Sequence, residues 1–161
     1  MNLEAADRIQ LLVLDVDGVL PDGRLWFGAD GEALKAFHVR DGAGIKALES
    51  HGVSVAIISG RTSPAVARRA AELGVRHVHQ GAGDKAAALR AVWRDTGLEA
   101  GVTACIGDDT PDLAVMALVA LPIAVADAHP AVIAAAHHVT RLSGGQGAVR
   151  EICDLLIEAR T

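Results

Sequence analysis

Short aliphatic and β-branched runs alternate with helix-length stretches along almost the whole chain, and this alternation leaves few folds open. Ile9 to Leu14, Val53 to Ile58, Val75 to His79, Thr103 to Ile106 and Ile123 to Val125 read as strands. Each is short and β-branched, as strands covered on both faces should be. Between them Gly44 to His51, Ser63 to Leu73, Lys85 to Thr96, Asp112 to Val119 and Pro130 to Ala136 read as helices. Ser or Asp starts and the stops Gly52, Gly74 and Gly97 punctuate them. Strands alternating with helices imply a parallel sheet wound by right-handed crossovers. The expected class is α/β, a Rossmann-like sheet with helices on both faces.

With 161 residues and no repeat, linker or low-complexity tract, residues 1–161 are expected to form a single domain. Hydrophobic residues make up 51% and charged ones 22%, which excludes a disordered chain. Aromatics are only 2%, so stacking on bases or sugar rings is not the main grip on a ligand. A net charge of −5 is a poor footprint for nucleic acid. No apolar run approaches the roughly 20 residues of a membrane span. The opening MNLEAADRIQ carries no basic stretch followed by an apolar one, and Cys105 and Cys153 form no CxxC pattern. A cytoplasmic protein that meets neither nucleic acid nor membrane is expected.

One segment breaks the alternation. Residues 24–39, RLWFGADGEALKAFHV, are two strand-like runs around Ala29-Asp30-Gly31, a hairpin signal. Three of the four aromatics, Trp26, Phe27 and Phe37, lie in it. Ordinary packing of an edge hairpin would account for them; so would a flap or a subunit contact, where exposed aromatics concentrate.

In open α/β sheets ligands bind beyond the carboxyl ends of the strands. The first strand is followed by Asp15-Val16-Asp17-Gly18 and the second by Ser59-Gly60-Arg61. After the third come Gly81 and Asp84-Lys85, and after the fourth Gly107-Asp108-Asp109-Thr110-Pro111-Asp112. Any one of these Asp residues is as readily a helix cap or a turn. Their convergence points to a site. Clustered carboxylates need a cation, and Mg²⁺ on Asp15, Asp17 and Asp108 fits an all-oxygen donor set. No His or Cys stands in these loops, which disfavours zinc. A cation, a carboxylate nucleophile and Lys85 together point to phosphoryl transfer, and without GxxxxGK[ST] the chain is no P-loop enzyme.

DVDGVL at 15–20, ISGR at 58–61, Lys85 and GDDTPDL at 107–113 resemble, in order, the four motifs of the haloacid dehalogenase-like phosphatases. FHVRDGAGIKAL, RRAAELGV, HQGAGDKAAAL, VADAHP and the tail GGQGAVREICDLL are similar to the cap-less 3-deoxy-D-manno-octulosonate 8-phosphate (KDO-8-phosphate) phosphatases, so the resemblance spans nearly the whole chain. It implies a β-hairpin flap (about 24–39) in place of a cap domain. It also implies a C-terminal tail (about 142–161) and a homotetramer whose active sites are shared between subunits. The implied reaction is Mg²⁺-dependent hydrolysis of a small phosphorylated sugar acid in lipopolysaccharide sugar biosynthesis. Asp15 would be the nucleophile and Asp17 the general acid and base. Mg²⁺ would sit on Asp15, the backbone carbonyl of Asp17 and Asp108. Ser59 and Lys85 would hold phosphate oxygens, helped by backbone amides near Gly18 and Gly60. Asp109 and Asp112 would support the site from behind the ion's own ligands or through water, or cap a helix. Arg61 and Arg150 would meet the sugar acid, with Gly144, Gly145 and Gly147 letting the tail move.

Pro21 stands where relatives carry Thr, and Gln146 where the tail of relatives carries Arg. The first bears on turn geometry, the second on substrate grip. Relatives acting on the nine-carbon 2-keto-3-deoxynononate 9-phosphate carry Glu at the position of Arg61, so Arg61 favours KDO-8-phosphate. Gly42-Ala43-Gly44-Ile45-Lys46-Ala47 fits a dinucleotide fingerprint but lacks the acidic residue about twenty positions on. It reads instead as a loop starting a helix, with Arg40 and Asp41 near the rim of the site. His77, His79, His137 and His138 read as surface or packing residues. Receiver domains use a similar set of groups, yet there the acceptor Asp follows the third strand, which here ends in no acidic residue. A non-enzymatic binding module on this fold is the other alternative, and intact Asp15 and Asp17 argue against it.

Overall fold

In the computed structural model, which describes residues 3–160, the sheet is built around β1 (Leu11–Leu14), whose four residues are all buried. β1 pairs in parallel with β4 (Ser54–Ile58) on one side and β6 (Thr103–Gly107) on the other. β5 (His77–His79) extends the sheet beyond β4, and β7 (Leu121–Ala124) and β8 (His138–Val139) extend it beyond β6. The order β5-β4-β1-β6-β7-β8 means the chain leaves β1 in one direction and returns to the other side. That reversal opens a crevice at the carboxyl ends of β1 and β6, where such sheets bind ligands.

The hairpin is a separate two-stranded ribbon of β2 (Trp26–Gly28) and β3 (Gly31–Leu34), antiparallel, turning at Ala29-Asp30. The helices are α1 (Val39–Ser50), α2 (Pro64–Leu73), α3 (Lys85–Thr96), α4 (Leu113–Met116), α5 (Pro130–Ala135) and α6 (Ala148–Glu158). α2, α3 and α5 match their sequence signals closely, because Pro at the first turn, Asp84 as N-cap and left-handed Gly74 and Gly97 at the ends are local cues.

Two expectations need correction, and one strand had no signal in the sequence. α1 begins at Val39, five residues before Gly44, so Gly42-Ala43-Gly44 lies inside a helix. The glycines there serve helix packing: a Cβ at Gly44 would come within 2.8 Å of Arg150 Cδ on α6. The helix expected from Asp112 to Val119 is a 3-10 turn, Thr110–Asp112, followed by the single-turn α4. β8 carried no strand signal of its own, since two residues pairing with Ile123 and Ala124 are too few to show a pattern.

Candidate active site

Asp15 continues the β1 ladder by one residue, its N–H donating to the Ile106 carbonyl (3.1 Å), so its position is tied to the sheet. The chain then wraps tightly: Val19 and Leu20 N–H both donate to the Val16 carbonyl, and Val16, Val19 and Leu20 are buried beneath the loop. Gly18, at φ +95°, is where the loop comes closest to the β6 loop. A Cβ there would lie 1.9 Å from Asp108 Oδ2.

Lys85, the first residue of α3, sends its ammonium between two carboxylates, 2.7 Å from both Asp15 Oδ1 and Asp112 Oδ1. The other Asp112 oxygen accepts from the Asp108 N–H (3.0 Å) and the Asp109 N–H (3.3 Å). Asp109 accepts from the Thr110 N–H (2.7 Å), and the two aspartates cap the turn reciprocally. Capping thus accounts for Asp109. Asp112 both caps the turn and anchors Lys85. Ser59 is buried at the end of β4, where its N–H donates to the His79 carbonyl (2.8 Å) and its hydroxyl accepts from the Arg61 N–H (3.3 Å).

Carboxylate oxygens of Asp15, Asp108 and Asp112 lie within 4.8 Å of one another. Burial and then the Asp112 charge push the Asp15 carboxyl up to about 6, against the pull of Lys85. Burial, with Asp15 and Asp112 nearby, pushes Asp108 up to about 8. Burial would lower Lys85, but the two carboxylates outweigh it and its pKa is raised. The ammonium therefore stays charged, and the cluster remains short of positive charge.

The haloacid dehalogenase-like hydrolase family pattern matches residues 77–152. The 3-deoxy-D-manno-octulosonate 8-phosphate phosphatase of Yersinia pestis is 48% identical over 158 residues, 98% of this chain and 84% of that protein. Its crystal structure superposes with a TM-score of 0.96 at 47% identity, covering 98% of this chain and 85% of that one. The chain belongs to the 3-deoxy-D-manno-octulosonate 8-phosphate phosphatase family. The Moraxella catarrhalis phosphatase of the same name, solved in complex with a magnesium ion, a phosphate ion and a KDO molecule, has a TM-score of 0.94. It is 41% identical, over 98% of this chain and 90% of that one. The parallel sheet with a hairpin and no cap domain is the fold of these phosphatases.

A divalent cation fits the cluster on two observations. Asp108 Oδ1 is buried without a hydrogen-bond partner, and the donors are all carboxylate oxygens, as Mg²⁺ prefers. Asp15 and Asp108 are the carboxylates to hold it, because both Asp112 oxygens are already engaged.

Asp17, Arg61 and Arg150 make their contacts outside the carboxylate cluster. The Asp17 side chain turns toward the hairpin, where Lys35 donates to its Oδ1, and Arg61 Nε stands 3.8 Å from Oδ2. Arg150 pairs with Asp154 at 2.7 Å and lines a hollow of about 830 Å³ together with Arg40, Arg141 and Gln146. Asp15, Asp17, Asp108 and Asp112 do not border this hollow. Asp41 is not at a rim: it is buried, and its Oδ1 accepts from the Arg150 N–H (2.8 Å) at the start of α6, which lacks a cap of its own. The tail glycines are packed tightly. The Gly145 N–H donates to the Val19 carbonyl (2.9 Å), and the Gly144 N–H to Asp127 Oδ1 (2.9 Å).

Lys35 and Glu32 are the residues the sequence did not single out. Lys35 lies just past β3, so its meeting with Glu32 follows no strand periodicity and no local signal marks the pair. Their partners Asp17, Arg61 and Ser63 lie far along the chain.

Proposed function

We propose that the chain hydrolyses KDO-8-phosphate to KDO and inorganic phosphate, as a Mg²⁺-dependent phosphomonoesterase working through an aspartyl-phosphate on Asp15. The observation that carries this reading is the buried Asp15 carboxylate, held by Lys85 at the crevice beside Asp108, in a member of this family. Asp15 attacks phosphorus and forms the new P–O bond as the bond to the sugar oxygen breaks. Asp17 gives its proton to the departing alkoxide, and then takes one from the water that attacks the phosphoenzyme. Inorganic phosphate leaves and Asp15 is restored. Ser59, Lys85 and the amides near Gly18 and Gly60 receive the phosphate oxygens. Asp15, Asp108 and the Asp17 carbonyl would hold Mg²⁺, which supplies positive charge to the phosphoryl oxygens and to the crowded carboxylates.

Arg61, whose Nη2 is held by Glu32 at 3.4 Å, has a side chain 47% exposed and keeps a solvent-facing edge to offer a sugar carboxylate. The test is a side-by-side measurement of kcat/KM for KDO-8-phosphate and 2-keto-3-deoxynononate 9-phosphate in the presence of Mg²⁺. KDO-8-phosphate should be preferred; the opposite ratio would overturn the substrate assignment.

The reading extends to a homotetramer in which hairpin and tail cover neighbouring sites, with Arg150 meeting substrate across that interface. Its support is the hairpin surface, where Leu25, Trp26, Phe27 and Leu34 are all exposed, Phe27 at 63%. So much apolar surface on one ribbon calls for a partner. Two buried free thiols suit a reducing cytoplasm, and no described helix is long and apolar enough to cross a membrane.

A further inference from the structure

Two side chains of the hairpin enter a four-charge network with the proposed proton donor of their own chain. Lys35, the first residue past β3, has a side chain only 1% exposed. Its ammonium lies between Asp17 Oδ1 and Glu32 Oε2, 3.0 Å from the latter. Glu32 is secured in turn: Ser63 donates its hydroxyl to Oε1 at 2.6 Å, and Arg61 reaches Oε2 at 3.4 Å. Ser63 stands at the N-cap position of α2 yet makes no capping bond with its side chain, since that hydroxyl is committed to Glu32. The ribbon is therefore locked to the β4 loop by Glu32 and to the nucleophile loop by Lys35, within one chain.

We propose that Lys35 is the positioning residue for Asp17, fixing from the hairpin which carboxylate oxygen carries the transferred proton. With Oδ1 held by Lys35, and Arg61 Nε beyond hydrogen-bond distance at 3.8 Å, Oδ2 is the oxygen left for the leaving group. Glu32 keeps the ammonium in place by balancing its charge. An unpaired Lys at this depth would be costly. Orientation by a locked neighbour is what gives a general acid its effect, since small displacements of a reacting group are expensive in rate.

This inference rests on the phosphatase reading, and the two fail differently. The experiment compares wild type with Lys35→Met on KDO-8-phosphate and on p-nitrophenyl phosphate, reading kcat/KM. That constant covers steps only through departure of the leaving group. A sugar alkoxide needs the Asp17 proton to depart; nitrophenolate does not. Lys35→Met should lose roughly tenfold more kcat/KM on the phosphosugar than on the aryl phosphate, a part of the ~10²–10⁴ that general acid catalysis supplies. Lys35→Arg, which restores a charged donor, should recover part of that difference. Equal losses on both substrates would mean Lys35 is merely structural and would overturn the proposal, as would no loss on either. If Lys35→Met does not fold, Lys35→Gln, which is uncharged and too short to bridge, is read the same way. A wild-type enzyme inert on KDO-8-phosphate but active on the aryl phosphate would instead refute the substrate assignment. The variant's split is then read on another alkyl phosphate that wild type accepts.

Discussion

Gly144 of the tail sits so close to Gly18 of the loop after β1 that a Cβ on Gly144 would lie 1.7 Å from the Gly18 carbonyl oxygen. The backbone oxygen cannot move aside without shifting the loop, because Gly145 N–H also holds the neighbouring Val19 carbonyl. Tail and loop are one packed unit. Gly144→Ala should therefore lower both Tm and turnover, with a stability loss of roughly 1–3 kcal/mol from overpacking. Gly83→Ala, with open space around its Cβ, should leave both near wild type. Thermal melts and steady-state rates on the two variants check the contrast.

Asp15→Asn should remove turnover by at least ~10³-fold, because an amide cannot form the acyl phosphate. The same change relieves crowding among Asp15, Asp108 and Asp112, where the Asp15 carboxyl is already raised to about 6. In metal-free protein at pH 8 the variant should melt no lower than wild type. A dead variant with full stability separates catalysis from folding.

A carboxyl whose pKa is raised in the folded chain binds its proton more tightly folded than unfolded. Its contribution is greatest below the ordinary value of 3.8 and is lost as pH rises toward about 6 for Asp15 and about 8 for Asp108. Metal-free protein should therefore lose stability between pH 5.5 and 8.5, by roughly 5 °C in Tm. Asp108→Asn should flatten that slope. Mg²⁺ should raise Tm more at pH 8.5 than at pH 5.5, since protons compete for the same oxygens. Chelation should abolish turnover, and rates with and without chelator check it.

Phe27→Glu should split the proposed tetramer, because it places a charge on the most exposed aromatic of the hairpin. Light scattering reads the outcome; an unchanged mass would remove the hairpin from the interface, and a wild-type monomer would remove shared sites altogether. In a folded tetramer, Gln146→Arg should lower the KM for the phosphosugar by adding a cation beside Arg40 and Arg150. An unchanged or higher KM would count against the tail as a substrate contact.

The sequence by itself determined the parallel α/β sheet and the groups at its strand ends. Apolar runs, Gly stops and Pro or Asp starts are local cues, and ligands of such sheets bind beyond the carboxyl ends of the strands. That is why the grouping of Asp15, Lys85, Asp108 and Asp112 is legible in the sequence. The start of α1 was not, because two glycines inside a helix read as a loop until α6 is seen packing on Gly44. The tail read as mobile for the same reason: glycine signals both freedom and close contact, and only the approach to Gly18 shows which. Lys35 and Glu32 were invisible because the contacts that tie them to Asp17, Arg61 and Ser63 join residues 18 to 31 positions apart. Such pairings are set by where the hairpin folds back over the sheet, so tertiary structure alone decided how the proposed proton donor is held.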